Sequence, residues 1–234
     1  MVLSDWNKLK NNITVEYTRK KFYNEFLYRL SYNIQGIRII AWIKDELQID
    51  EKVDAWNLRV SQGMTNWYYD DPVRKDQITD FYFLYQTKSK DLKFRIERNT
   101  FSIYSNSENF LYDLASTKLN QWKDQIINIS LVESPKSLDL LNQGFTIVKT
   151  ELEYQYRIKL REGFQKLSER KGLATYLGNL GDEVRCNKLI LDRLIYDTKY
   201  FAGGYIYLKD PRLIDMLKMV APSVIGPVNQ LVNQ

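Results

Sequence analysis

The sequence contains a weak copy of itself. That restricts the fold more than any bulk property, because both copies must form the same kind of unit. Residues 101–114 align without gaps on residues 204–217. Ile103-Tyr104 falls on Ile206-Tyr207, a polar turn falls on a polar turn, and Phe110, Leu111 and Leu114 fall on Leu213, Ile214 and Leu217. Upstream, residues 26–32 resemble residues 154–160, with Tyr28-Arg29-Leu30 matching Tyr156-Arg157-Ile158. The first match is offset by 103 positions (Ile103 to Ile206) and the second by 128 (Arg29 to Arg157). The first copy therefore holds about 25 residues more between these landmarks, which a loop insertion accommodates.

Periodicity supplies the elements of each copy. The second predicts a strand at 153–160, a helix over 162–180, strands at 189–197 and 203–209, a helix from Pro211 to about Val220 and a final strand at 227–232. Its second helix is the best marked, with Asp210 as cap, Pro211 at the first helical position and Leu213, Met216, Leu217 and Val220 on one face. The order β-α-β-β-α-β is that of a ferredoxin-like unit. The first copy predicts a strand at 25–33, a helix at 37–47, strands at 80–87, 92–98 and 100–105, a helix at 108–123 and a strand at 126–132. Residues of about 48–79 read as an insertion with its own helix after Asp50 and a turn at Asp70-Asp71-Pro72. The expected fold class is α+β: two tandem ferredoxin-like units from an internal duplication, over 1–132 and 145–234. A linker over 133–144 joins them, its short helix opened by Ser134-Pro135 and closed at Gly144.

The chemistry is bounded by what is missing. The chain has no histidine and one cysteine, Cys186, which removes imidazole catalysis, intramolecular disulfides and Cys or His zinc sites. A tyrosine nucleophile would lack the histidine metal site that usually accompanies it on a similar sheet. Asp70, Asp71, Asp76 and Asp80 form a poor two-metal set, since Asp-Asp-Pro is a common turn. The close glycine pair Gly203-Gly204 precedes a strand, whereas a phosphate-binding loop precedes a helix. A non-catalytic protein with no metal and no cofactor is expected. No segment reaches the roughly 18 consecutive apolar residues of a membrane span and no apolar run opens the chain, so no membrane partner is expected and the location reads as cytoplasmic. Frequent Lys, Asn, Ile and Tyr fit an AT-rich gene of the kind found in many viruses, which would make that the host cytoplasm.

The candidate site follows from strand alternation. In strand 153–160 the residues Tyr154, Tyr156, Ile158 and Leu160 should face the helices, leaving Arg157 and Lys159 on the opposite face. In strand 203–209, Ile206 and Leu208 should be inward and Tyr205, Tyr207 and Lys209 outward. The two strands are central neighbours in a ferredoxin-like sheet, so these side chains should share one face. The first copy repeats part of the pattern with Arg29 beside Tyr104.

A sheet face of aromatic and basic residues suits single-stranded RNA or DNA, whose bases stack on tyrosine while phosphates meet arginine and lysine. The net charge of +5 is compatible with such a polyanion. Basic clusters at Arg19-Lys20-Lys21, at Lys88, Lys90, Lys93, Arg95 and Arg98, and at Lys166, Arg170 and Lys171 read as phosphate contacts or as solvated surface. The alternative is a structural or assembly protein, in which the same faces and the aromatic insertion pack on each other, on another copy or on a protein partner.

Overall fold

A computed structural model describes residues 3–10, 13–64, 71–87, 89–149 and 153–233. Packing divides the chain into two units, Met1–Glu133 and Ser134–Gln234, each of mixed α+β structure around one five-stranded mixed sheet.

In the first unit, helix α1 (Leu3–Leu9) precedes strands β1 (Thr14–Tyr17) and β2 (Tyr28–Asn33). A 3-10 turn over Ile37–Trp42 and helices α2 (Gln48–Ser61) and α3 (Lys75–Gln86) follow. The hairpin β3 (Leu92–Glu97) and β4 (Thr100–Ser105) leads to α4 (Glu108–Asp113), and β5 (Ile126–Leu131) ends the unit. The sheet order is β1-β5-β2-β4-β3, with β1 parallel to β5 and the other pairs antiparallel. One face carries the core residues Leu30, Tyr32, Phe101, Ile103 and Ile129. Phe81 of α3 seals it edge-on, 5.3 Å from Tyr32 and 5.1 Å from Phe101 between ring centres.

Helix α3 corrects the strand expected at 80–87. The aromatic run there suggests alternation, but the buried residues are Gln77, Ile78, Phe81 and Tyr82, a helical spacing. The helix expected over 37–47 is a 3-10 turn that ends at Trp42. It is entered through Gly36 at φ 63°, where a Cβ would lie 2.1 Å from Val73 Cγ1. The helix expected over 108–123 breaks after Asp113 into a π turn over Leu114–Lys118 and a 3-10 turn over Asn120–Gln125. There the Ser116 and Thr117 hydroxyls donate to the Asp113 carbonyl, competing with the helical ladder. Trp122 then anchors the last turn to α3 by donating its indole N–H to Asp80 at 2.7 Å.

The second unit opens with α5 (Pro135–Asn142), capped by Ser134 Oγ accepting from the Ser137 N–H at 3.1 Å. It continues with β6 (Thr146–Val148), β7 (Tyr156–Leu160), α6 (Leu167–Asn179), β8 (Val184–Cys186) and α7 (Lys188–Ile195). Strand β9 (Gly204–Leu208), helix α8 (Arg212–Val220) and strand β10 (Ile225–Asn233) complete it. The sheet order is β6-β10-β7-β9-β8, with β6 parallel to β10. Counted from its own first strand, each sheet has the order 1-5-2-4-3 and its first strand runs parallel to its last. The expected strand at 189–197 is the helix α7. Asn187 Oδ1 caps it by accepting from the Leu189 N–H at 2.8 Å, and Leu194 is buried one turn beyond Ile190. The strand in that place in the order is the three-residue β8, just before it.

Arg170, whose cluster reads in the sequence as phosphate contact or solvated surface, is 1% exposed on α6. Its guanidinium donates to the Arg193 carbonyl at 3.2 Å and the Thr198 carbonyl at 2.8 Å, meeting the negative end of α7. This buried cation, with no carboxylate partner among the described residues, is stabilised by carbonyl dipoles, and it ties α7 and the loop after it to α6. Arg170→Ala orphans both carbonyls and leaves a cavity, so the second unit should lose about 3 kcal/mol. The check is the urea unfolding midpoint against that of the parent chain.

Candidate nucleic-acid interface

Strand register brings most of the expected residues together. In the second unit Arg157 pairs with Tyr207 and Lys159 with Tyr205. Arg185 of β8 lies on the far side of Tyr207, and Asn229 of β10 on the far side of Arg157. In the first unit Arg29 pairs with Tyr104, Lys93 lies beyond Tyr104, and Ser130 lies beyond Arg29. Because Leu30, Ile103, Ile158 and Ile206 are buried against the helices, period-two alternation turns both rows to the opposite face. Each sheet thus carries one row of the same kind: a small polar residue, an arginine, a tyrosine and a second cation.

The two rows meet different surroundings. In the first unit the face expected to be open is covered, and Tyr104 is only 3% exposed. The connection between β1 and β2 crosses it, placing the rings of Phe22 and Tyr23 at 5.2 and 5.1 Å from that of Tyr104. The Arg29 guanidinium lies 5.2 Å from the Phe22 ring centre, and Lys93 Nζ lies 4.0 Å from that of Tyr23. Arg29 also pairs with Glu16 at 2.5 Å. Both ends of the crossing are pinned: the Thr18 N–H donates to the Leu131 carbonyl, the Thr18 hydroxyl to the Leu27 carbonyl, and the Leu27 N–H to Asn106 Oδ1. Burial, with the Tyr23 hydroxyl beside it, pushes the Tyr104 phenol up, so it stays neutral. Tyr104 is therefore buried and Arg29 half-buried beneath the crossing segment, which nothing in the aligned copies signals.

In the second unit the row opens into a cleft of about 790 Å³. Tyr154, Tyr205 and Tyr207 line it together with Lys159, Arg185 and Arg193, and Glu162 is its acidic member. Tyr205 is 43% exposed. The Arg157 guanidinium sits 5.2 Å from the Tyr205 ring centre, and its Nε has no hydrogen-bond partner among the described residues. Among those residues no carboxylate forms an ion pair with Arg157, Arg185 or Arg193. Lys159 lies 3.6 Å from Glu162. Lys209 pairs with Glu153 at 2.5 Å, which pushes its ammonium pKa up, and it lies 5.3 Å from the Tyr154 ring centre. Lys209 thus lies outside the cleft lining, beside Tyr154, and remains a cation there. Tyr154, expected to face the core, turns to the cleft because the strand starts only at Tyr156, so alternation does not reach it.

Close packing shapes the cleft wall. Gly204 faces α7, where a Cβ would lie 2.7 Å from Ile190 Cδ1, so only glycine lets the helix approach. Arg185 and Arg193 were not among the expected site residues. Three-residue β8 is too short to show periodicity, and α7 reads as a strand.

Other candidates are engaged elsewhere. Asp76 pairs with Arg74, and Asp80 accepts from Trp122 and Gln121. Asp70, Trp67-Tyr68-Tyr69 and Lys88 lie outside the described residues. Among the described residues no group of three or more Cys, Asp or Glu side chains is placed to hold a metal ion. No helix among them is long and apolar enough to cross a membrane. Comparison with protein-family models, curated proteins and solved structures finds no match for this chain.

Burial pushes the Cys186 thiol up to about 11. A raised thiol pKa confines the thiolate to high pH, so alkylation by iodoacetamide at pH 7.5 should be about two orders of magnitude slower than for free cysteine. It should accelerate with each pH unit up to about 10, as read by intact mass.

Proposed function

We propose that this chain binds single-stranded nucleic acid without turnover, and that the cleft face of the second unit is the binding surface. The observation that carries the reading is the convergence of three tyrosine rings with Arg185, Arg193 and Lys159 in one cleft, with the Arg157 guanidinium against the Tyr205 ring and the arginines without carboxylate partners among the described residues. Unpaired bases stack on tyrosine faces of any sequence, and cations beside them meet the phosphates. Duplex DNA buries its base faces and has no use for such a platform.

Within the same proposal, each unit is a ferredoxin-like module with one added edge strand, and the two arose by duplication. The support is a coincidence of register. The offsets of 128 and 103 come from separate stretches of sequence, yet they carry Arg29 onto Arg157 and Tyr104 onto Tyr207, which are cross-strand partners in both sheets.

A second reading, an assembly protein, draws on Phe164 and Tyr200. They stack edge-on at 6.0 Å near the cleft and are 83% and 55% exposed. Fluorescence anisotropy with a labelled oligothymidylate separates the two. Arg157→Ala combined with Tyr207→Ala should weaken binding by about tenfold to a hundredfold, and affinity should fall steeply as salt rises. No retention of the strand at low salt, together with self-association in light scattering that Phe164→Ser abolishes, decides for assembly.

A further inference from the structure

The two rows contain the same residue types, and in the first the chain itself supplies the rings that lie on them. Phe22 lies against the Arg29 guanidinium, while Tyr23 lies edge-on to Tyr104 with Lys93 Nζ over its face. In the second unit the first of these places is already filled, because Tyr205 brings its ring to the same 5.2 Å from Arg157 that separates Phe22 from Arg29. The residue matching Tyr205 in the first unit is Ser102, paired with Ser31, and these small side chains leave room for the crossing segment. The second place, beside Tyr207 and Arg185, opens into the cleft.

Resting on the nucleic-acid reading above, we infer that this second place seats one unpaired base, held against Tyr207 and covered by Arg185 as Tyr23 is held against Tyr104 and covered by Lys93. Tyr23 is thus an internal occupant that closes the first unit to the strand. The backbone supports that role. Tyr23 and Asn24 adopt φ of 55° and 61°, a left-handed pair uncommon for tyrosine, inside a turn closed by the Phe22 and Phe26 bridge. The turn presents a ring to the sheet where a strand would otherwise lie. A base suits the second unit's place better than an isolated phosphate does, because a cation over a ring face and a ring at its edge both act on planar π systems.

The test compares a labelled oligothymidylate with an abasic strand of the same length, so that phosphates are kept and bases removed. The parent chain should bind the oligothymidylate about tenfold more tightly than the abasic strand. Arg185→Ala should erase that preference, while Tyr207→Phe, which keeps the ring, should retain it. Tyr23→Ala should raise the stoichiometry from one strand per chain to two, and adding Lys93→Ala, at an exposed position, should return it to one. Tyr23→Gly suits the local φ and serves the same purpose if the alanine variant is unstable. Equal affinity for both strands, or a stoichiometry of one in both Tyr23 variants, overturns the inference and leaves strand binding by the second unit standing. Failure of the parent chain to bind either strand overturns the function itself.

Discussion

The antiparallel pairing of the two central strands in each sheet is the constraint on which the candidate site depends. Ile158 opposite Ile206, and Leu30 opposite Ile103, are fully buried between sheet and helices. Side chains alternate with a period of two, so a slip of one residue would expose these apolar residues and drive Arg157 and Tyr207 into the core. The hydrophobic effect on one face thereby sets the position of charge on the other. The arginine and tyrosine need no attraction of their own to be neighbours.

The same row has two fates. In the first unit, a ten-residue connection between β1 and β2 crosses the face, and the arginine is further neutralised by Glu16. In the second, the arginines have no carboxylate partner among the described residues and lie beside a cleft whose wall is α7. That wall depends on interactions away from the cleft. Gly204 lets Ile190 approach, and Arg170 donates to the Arg193 carbonyl in the last turn of α7 and to the Thr198 carbonyl in the loop after it. A buried guanidinium on one helix thus holds in place the helix that contributes Arg193 to the site.

Several features were legible in the sequence because they are local. Around Arg29 and Arg157 apolar and polar residues alternate along the sequence, as Tyr-Arg-Leu-Ser-Tyr-Asn and Tyr-Arg-Ile-Lys-Leu, and α8 carries its cap and apolar face within about ten residues. The misread elements are those where local preference and packing diverge. The aromatic and aliphatic runs at 80–87 and 189–197 have strand-like composition, yet each lies largely on a helix, whose buried residues, Gln77, Ile78, Phe81 and Tyr82 in the first and Leu194 in the second, fall on one helical face. Tyr154 and Arg170 were misplaced for a related reason. The first lies two residues ahead of the strand whose alternation was applied to it, and the second is polar at a position that packing encloses.

The repeat, the strand alternation and the missing histidine are properties of the sequence alone. They determined an α+β chain of two units, a cationic and aromatic row on each sheet, and chemistry without imidazole. Only the tertiary structure decided which row is open. Openness depends on where a distant loop crosses and which helix flanks the edge strand, and both are set by long-range packing that no local periodicity records. Phe22 and Tyr23 lie about eighty residues from Tyr104 in the chain and against it in space. That contact buries Tyr104 and covers Arg29 in the first unit, while the matching tyrosine and second cation of the second unit line a cleft.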